Sequence, residues 1–163
     1  FGFNVGGQAG DFYNEGVRLS FEEHNVSGYE AYIMDEVSKP TAYADPAGLN
    51  SYPSLLSEIT IKWDDAATFE QMQERIITQK WIANWQLGNE AWADYRRTGF
   101  PRLLPVTANK SSVVDSKLGA RRMPYPTEER TSNAENYAKA VEMLGGSDNM
   151  ATRIWWDCNP DVK

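Results

Sequence analysis

The chain of 163 residues carries a formal net charge of −7 and a pI near 4.8, with 41% hydrophobic and 24% charged residues. These values sit in the ordinary globular range and exclude a wholly disordered or collagen-like polymer. No run of Lys or Arg exceeds two, so the basic stripe that follows a phosphate backbone is missing and nucleic acid is disfavoured as a partner.

After a Gly-rich opening, Asp11 is the expected cap of a helix over about residues 11–24, with Phe12, Tyr13, Val17, Leu19 and Phe21 including spacings of four and seven. Ser27 is expected to cap a shorter helix through Tyr29, Tyr32, Ile33 and Val37, ended by Pro40. Residues 40–53 set Tyr43 and Tyr52 among Gly, Ala, Asp, Asn and Pro without periodicity, which predicts a surface loop. Thr68, with Gln71 three residues on, forms a capping box ahead of a helix expected to run to Leu87 and stop at Gly88. Its first half has one stripe, Phe69, Met72 and Ile76. Beyond Ile76 the apolar residues Ile77, Trp81, Ile82, Trp85 and Leu87 spread round the circumference, and such a helix must be covered on several sides.

Asn89 is expected to cap a second helix over residues 90–98, closed by Gly99 and Pro101, so that the pair reads as a tight helix-turn-helix. Residues 102–126, with Pro105, Pro124, Pro126 and a polar KSSVVDSK insert, predict an irregular segment. A last helix spans about residues 133–144, with Ala134, Tyr137, Ala138 and Val141 on one face, and Gly145-Gly146 ends it. No repeat of fixed period recurs.

The chemistry-bearing residues read mostly as scaffold. Six Trp invite a sugar-stacking interpretation, but Trp81 and Trp85 are four apart on one helix and Trp92 lies on the next, a packing arrangement; Trp63, beside Asp64-Asp65, is the freest. Arg96-Arg97 and Arg121-Arg122 could clamp an anion with their planar donor forks. In an acidic chain they have internal carboxylates and loop carbonyls as nearer acceptors. Adjacent acids occur at Glu22-Glu23, Asp35-Glu36, Asp64-Asp65 and Glu128-Glu129. A glycosidase needs two carboxyls converging on one bond about 5–9.5 Å apart, and sequence neighbours on a helix point about 100° apart. There is no nucleophile elbow, phosphate loop or HExxH string, so no catalytic or cofactor-binding residue is assigned. The single Cys158 excludes an internal disulfide, and with the lone His24 leaves no zinc-ligand set. No apolar run approaches the roughly 20 residues that span a bilayer. The start at Phe1 reads as a fragment whose targeting sequence lies upstream, and the apolar helix over 76–87 predicts association with a further segment, dimerisation or aggregation.

An ordered set of strings then carries a resemblance over nearly the whole chain: GGQAGDFYNEGVRLSFEE (6–23), IITQKWIANW (76–85), EAWADYRRTGFPRL (90–103), RRMPYP (121–126), the 133–140 helix, Gly145, Asp148 and WWD (155–157). Together they resemble the SusD/RagB family of outer-membrane nutrient-binding lipoproteins. The resemblance implies an all-α fold of tetratricopeptide-like helix pairs with long irregular loops, residues 1–163 forming the C-terminal part of one such domain. It implies a surface lipoprotein of Bacteroidetes, held by a lipid anchor outside this segment, that binds glycan without chemistry or cofactor and delivers it to a SusC-like TonB-dependent transporter. A RagB-like minority serves peptide uptake. Trp81, Trp92, Arg96, Arg97, Arg121, Arg122, Tyr125 and Pro126 mark the family as scaffold, and no ligand contact carries over to a numbered residue. A helical-repeat module that binds a protein, and a glycan-cleaving helical enzyme, are the rival readings.

Overall fold

The computed structural model describes residues 4–54, 56–106 and 108–158. Among the described residues six helices follow in order: α1 (Ala9–Glu23), α2 (Tyr29–Ile33), α3 (Phe69–Ala83), α4 (Gly88–Thr98), α5 (Thr127–Ser132) and α6 (Ala134–Leu144). Among the described residues there is no strand, only isolated antiparallel bridges of Tyr43 with Tyr52 and Asp115 with Gly119. The all-α expectation holds, and α1 packs against both α2 and α3, as α5 does against α6.

Helix boundaries shift for local reasons. α1 starts two residues early, with Gln8 at the N-cap, so Asp11 lies in the first turn, where its charge faces the positive end of the helix dipole. Gly28, not Ser27, occupies the N-cap of α2 in the left-handed region at φ 93°. That helix ends at Ile33 because the Asp35 carboxylate accepts the N–H groups of Val37 and Ser38, each at 2.8 Å, and offers the backbone a turn in place of another helical coil. The Thr68–Gln71 capping box forms as predicted, Gln71 N–H to Thr68 Oγ1 at 3.2 Å and Thr68 N–H to Gln71 Oε1 at 3.0 Å. α3 stops at Ala83, four residues before the predicted Leu87. Gln86 takes a positive φ of 74°, and Leu87 N–H bonds Asn84 C=O at 2.7 Å. The link is thus residues 84–87, and α4 starts at Gly88 without needing Asn89 as its cap. α5 was not legible: Thr131 and Ser132 hydroxyls bond Glu128 C=O at 3.1 and 2.6 Å and tie a six-residue coil that no apolar stripe announces. Gly145 closes α6 in the left-handed region, as expected.

The chain forms two compact units, the first of Phe1–Ala42, Ser54–Tyr95 and Phe100–Leu103, the second of Tyr43–Pro53, Arg96–Gly99 and Leu104–Lys163. In the first, Tyr13, Val17 and Ile33 are buried, with Phe21, Tyr29, Tyr32 and Trp63 packed around them. The phenol tips are partnered: Tyr13 donates to Ile61 C=O at 2.5 Å, Tyr29 to Asn14 C=O at 3.2 Å and Tyr32 to Gln79 Oε1 at 3.0 Å. Burial pushes the Tyr13 phenol well above its ordinary pKa, so it stays a neutral donor. Trp63, the freest Trp by sequence, lies 5.2 Å from the Tyr13 ring and donates to Asp65 Oδ1 at 2.8 Å.

α3 is inverted. Its buried residues are Glu74, Arg75 and Ile77, whereas Phe69, Ile76, Trp81 and Ile82 are exposed. In the second unit, Tyr43–Pro53 of the predicted loop is closed by the Tyr43–Tyr52 bridge and by Asp45, whose carboxylate accepts N–H groups from Asn50, Ala47 and Leu49 at 2.9–3.0 Å. Those bonds, the one from Asn50 foremost, hold the Asp45 carboxyl below its ordinary pKa.

Two glycines of α1 make opposite demands. A Cβ at Gly10 would stand 2.7 Å from Trp63 Cδ1, a rigid indole atom, whereas at Gly16 it meets nothing within 4 Å. Gly10→Ala is therefore expected to destabilise by about 1–3 kcal/mol. Gly16→Ala should stabilise by about 0.5–1 kcal/mol through helix propensity. Paired urea titrations read both signs, and equal signs would refute the packing of α1 on Trp63.

Candidate functional site

The residues singled out by sequence gather in two places, each built from side chains of one unit. In the second unit Arg121 is fully buried and Asp157 nearly so. Arg121 Nε donates to Asp157 Oδ2 at 2.8 Å, while Nη2 donates to Asp157 Oδ1, a bidentate pair. The same Nη2 donates to Arg96 C=O at 2.9 Å, and Arg96 Nη1 returns the bond to Arg121 C=O at 2.8 Å. Each guanidinium thus holds the other's backbone. Arg96 also lies over the Trp156 ring at 4.9 Å, and Arg153 reaches Asp157 Oδ1 at 3.3 Å. Burial by itself would raise the Asp157 carboxyl, but the bond from Arg121 and the charges of Arg121, Arg153 and Arg96 outweigh it and hold the pKa below the ordinary range. Arg96 is lowered, by burial first and by the like charge of Arg121 second.

One residue along, Arg122 does the same with Asp148. Nη1 donates to Asp148 Oδ1 at 2.7 Å and to Asn149 C=O at 3.0 Å. Asp148 also accepts from Tyr125 N–H at 3.1 Å, from Arg130 Nη2 at 2.9 Å and from the Tyr137 hydroxyl at 3.1 Å. Tyr125 and Tyr137 meet edge to face at 5.9 Å, and Arg122 covers the Tyr125 ring at 4.9 Å. Pro126 follows as the residue preceding α5. Although burial would raise it, Asp148 is held below its ordinary pKa by bonds from Arg122, Tyr125, Tyr137 and Arg130, in that order. These Arg forks are turned to internal acceptors; Arg97 is exposed at the end of α4.

In the first unit Trp81, Trp85, Trp92 and Tyr95 line a cleft of about 500 Å³ between α3 and α4, with Asn84 and Leu103 beside them. Trp85 is 70% and Trp81 41% exposed. A second apolar groove of about 260 Å³ runs between α1 and α3, past Phe12, Phe21, Ile76 and Ile82. The buried carboxylates of this unit are each matched to a cation: Asp94 to Lys80 at 2.7 Å, and Glu74 to Arg102 at 3.3 Å, with Arg102 also reaching Glu70 at 2.9 Å. None of these three acids was singled out by adjacency in sequence. Glu70 and Glu74, one turn apart on a helix, are the nearest to a legible signal. Asp148 and Asp157 entered only through the resemblance, without a role. No group of three or more metal-ligating side chains occurs among the described residues, and no helix there is long and apolar enough to cross a membrane.

Comparison with known proteins adds independent findings. A family model described as "SusD-like: Susd and RagB outer membrane lipoprotein" matches residues 1–157. A SusD homologue from Bacteroides uniformis is 62% identical over 97% of this chain and 33% of its own, with a TM-score of 0.87. A chitin-binding SusD homologue from Flavobacterium johnsoniae is 42% identical over 99% of this chain and 34% of its own, also at 0.87. A SusD homologue from Bacteroides thetaiotaomicron is 44% identical over 97% and 35%, at 0.85. The chain therefore spans about a third of the length of these solved relatives. No curated protein matches it.

The Asp148 hub makes a pH-dependent prediction. A carboxylate whose folded pKa is depressed adds stability above its unfolded value, near 3.9, and loses it as pH falls through the folded value. Asp148→Asn should cost about 3 kcal/mol at pH 7, since Arg122 is left buried without its counter-charge. The gap from the parent should narrow below about pH 4, and urea melts at pH 7, 5, 4 and 3 will measure it. A pH-independent gap would refute the assignment.

Proposed function

Since this chain belongs to the SusD-like family of outer-membrane lipoproteins, we propose that it forms part of a surface protein that binds glycan without cleaving it and passes it to a TonB-dependent transporter. The observation that carries the reading is the family match over residues 1–157, joined by a chitin-binding homologue that aligns with 99% of the chain at 42% identity. Glycan is accordingly the first ligand class, and N-acetylated sugars are the first members to try.

The paired state of the buried acids supports binding over catalysis. A glycoside hydrolase keeps one carboxyl with a raised pKa opposite a second across the scissile bond. Here Asp148 and Asp157 are shifted downward, and Glu74 and Asp94 face Arg102 and Lys80. Carboxyls lowered as those of Asp148 and Asp157 are make poor proton donors at neutral pH. Residues 1–163 act in this proposal as one part of a SusD-like helical domain, with Trp81, Trp92, Arg96, Arg97, Arg121, Arg122, Tyr125 and Pro126 as its framework. Delivery to the transporter rests on family membership.

Isothermal titration of the full-length protein against chitin, plant, host and microbial oligosaccharides and a mixed peptide pool tests the reading. Heat from one glycan class, with no reducing ends released on prolonged incubation, is the expected result. Heat from peptides alone would replace glycan capture with peptide capture, and release of reducing ends would overturn the non-catalytic assignment.

A further inference from the structure

Among the described residues, Glu74, Asp94, Arg121, Arg122 and Asp157 are buried and each forms an ion pair, with Arg102, Lys80, Asp157, Asp148 and Arg121 in turn. Arg75 is the exception. It is 7% exposed, and although its Nε donates to Thr60 C=O at 3.2 Å, its Nη1 is buried and meets no acceptor. No carboxylate of the described residues pairs with it. The Tyr13 phenol feels the Arg75 charge, but burial outweighs that effect and keeps the phenol neutral, so it is no counter-ion. A charge held away from water in this way is unfavourable unless an anion faces it.

Arg75 lines a cavity of about 220 Å³ beside α3, and the makeup of its walls selects among anions. Ser38, Thr60, Thr78 and Gln79 bring polar groups to it, Ile59, Ile61 and Ile82 apolar ones, and none of the described lining residues is Asp or Glu. Lys39 stands there too, but its ammonium is 2.7 Å from Glu58, so among the described residues it is Arg75 whose charge calls for a partner. A dianion would leave surplus charge beside three isoleucines, where a low dielectric magnifies it. A halide has one centre for a forked donor. A carboxylate carries one charge and presents two oxygens at the spacing of guanidinium N–H groups. The cavity exceeds the volume of that group alone, and its isoleucines suit an organic body behind it.

We infer that this cavity binds a small organic carboxylate, whose oxygens accept from the Nη end of Arg75, with the Thr60 and Thr78 hydroxyls as further donors. The guanidinium, whose Nη1 is screened from water, turns to meet the ligand. The inference does not rest on the glycan proposal, because a free organic acid and a carboxyl-bearing sugar share the group that is recognised.

Calorimetric titration of the full-length protein with sodium acetate, benzoate and glucuronate, at constant ionic strength and beside sodium chloride, sodium sulfate and glucose, tests this. Saturable binding of at least one carboxylate is expected, without binding of glucose. Arg75→Gln should weaken it about 10- to 100-fold, the effect of losing a hydrogen bond to a charged group. Preference for glucuronate would support the site with an acidic sugar as its source, and preference for acetate or benzoate would support it with a free organic acid. Should Arg75→Gln fail to fold, Thr78→Met keeps the guanidinium, fills the cavity and is expected to abolish carboxylate binding. Three results would overturn the inference: carboxylate binding that survives both variants, chloride or sulfate bound as tightly as any carboxylate, and no carboxylate binding at all, as when another part of the polypeptide supplies the counter-charge. Heat from neutral glycans is expected to be unchanged in these variants, so this inference and the glycan proposal fail separately.

Discussion

A guanidinium without access to water imposes the strictest condition on this chain. A buried Arg is tolerable only if its charge is matched at close range, because removing one partner of such a pair costs about 3–5 kcal/mol. Arg121 matches its charge with Asp157 and bonds Nε and Nη2 to that carboxylate and to the carbonyl of Arg96, while its buried Nη1 has no hydrogen-bond partner. That carbonyl belongs to the last turn of α4, where helical carbonyls lack intrahelical donors and the dipole is negative. One side chain therefore holds the end of a helix, neutralises the acid of the WWD string and fixes the irregular segment between them. Arg122 repeats the device through Asp148, which also draws Tyr125, Arg130 and Tyr137 together ahead of α5 and alongside α6.

The two units consequently obtain order by different means. Among the described residues of 104–126 there is no helix, and their unit relies on charge-assisted bonds that are directional and specify geometry. The other unit is organised by an aromatic cluster around Tyr13, Val17 and Ile33, where burial is the driving term and phenol hydroxyls merely find acceptors. In that second setting the exposed indoles of Trp81 on α3 and of Trp85 in the link after it stand out beside the buried Tyr13.

Much of this was legible before any coordinates. The Thr68 capping box, the Gly145 stop and the all-α class follow from short-range rules or from a small set of options. The boundary errors cluster where a polar side chain competes with the helical ladder: Asp35 cut α2 short, Gln86 in the left-handed region ended α3 early, and Thr131 with Ser132 sustained α5 without an apolar stripe. Such competition turns on the rotamer of one side chain, which periodicity does not encode.

The sequence by itself determined the helical class, the approximate order of its elements, and the family, because capping, periodicity and an ordered set of strings are properties of neighbours along the chain. Tertiary structure alone decided which carboxylate each Arg receives, that Glu74 and Arg75 turn inward while Trp81 and Trp85 turn outward, and that the indoles enclose a cleft. The physical reason is distance along the chain. Arg121 and Asp157 are 36 residues apart and Arg102 and Glu74 are 28 apart. In an acidic chain with many possible partners, only folding selects among them.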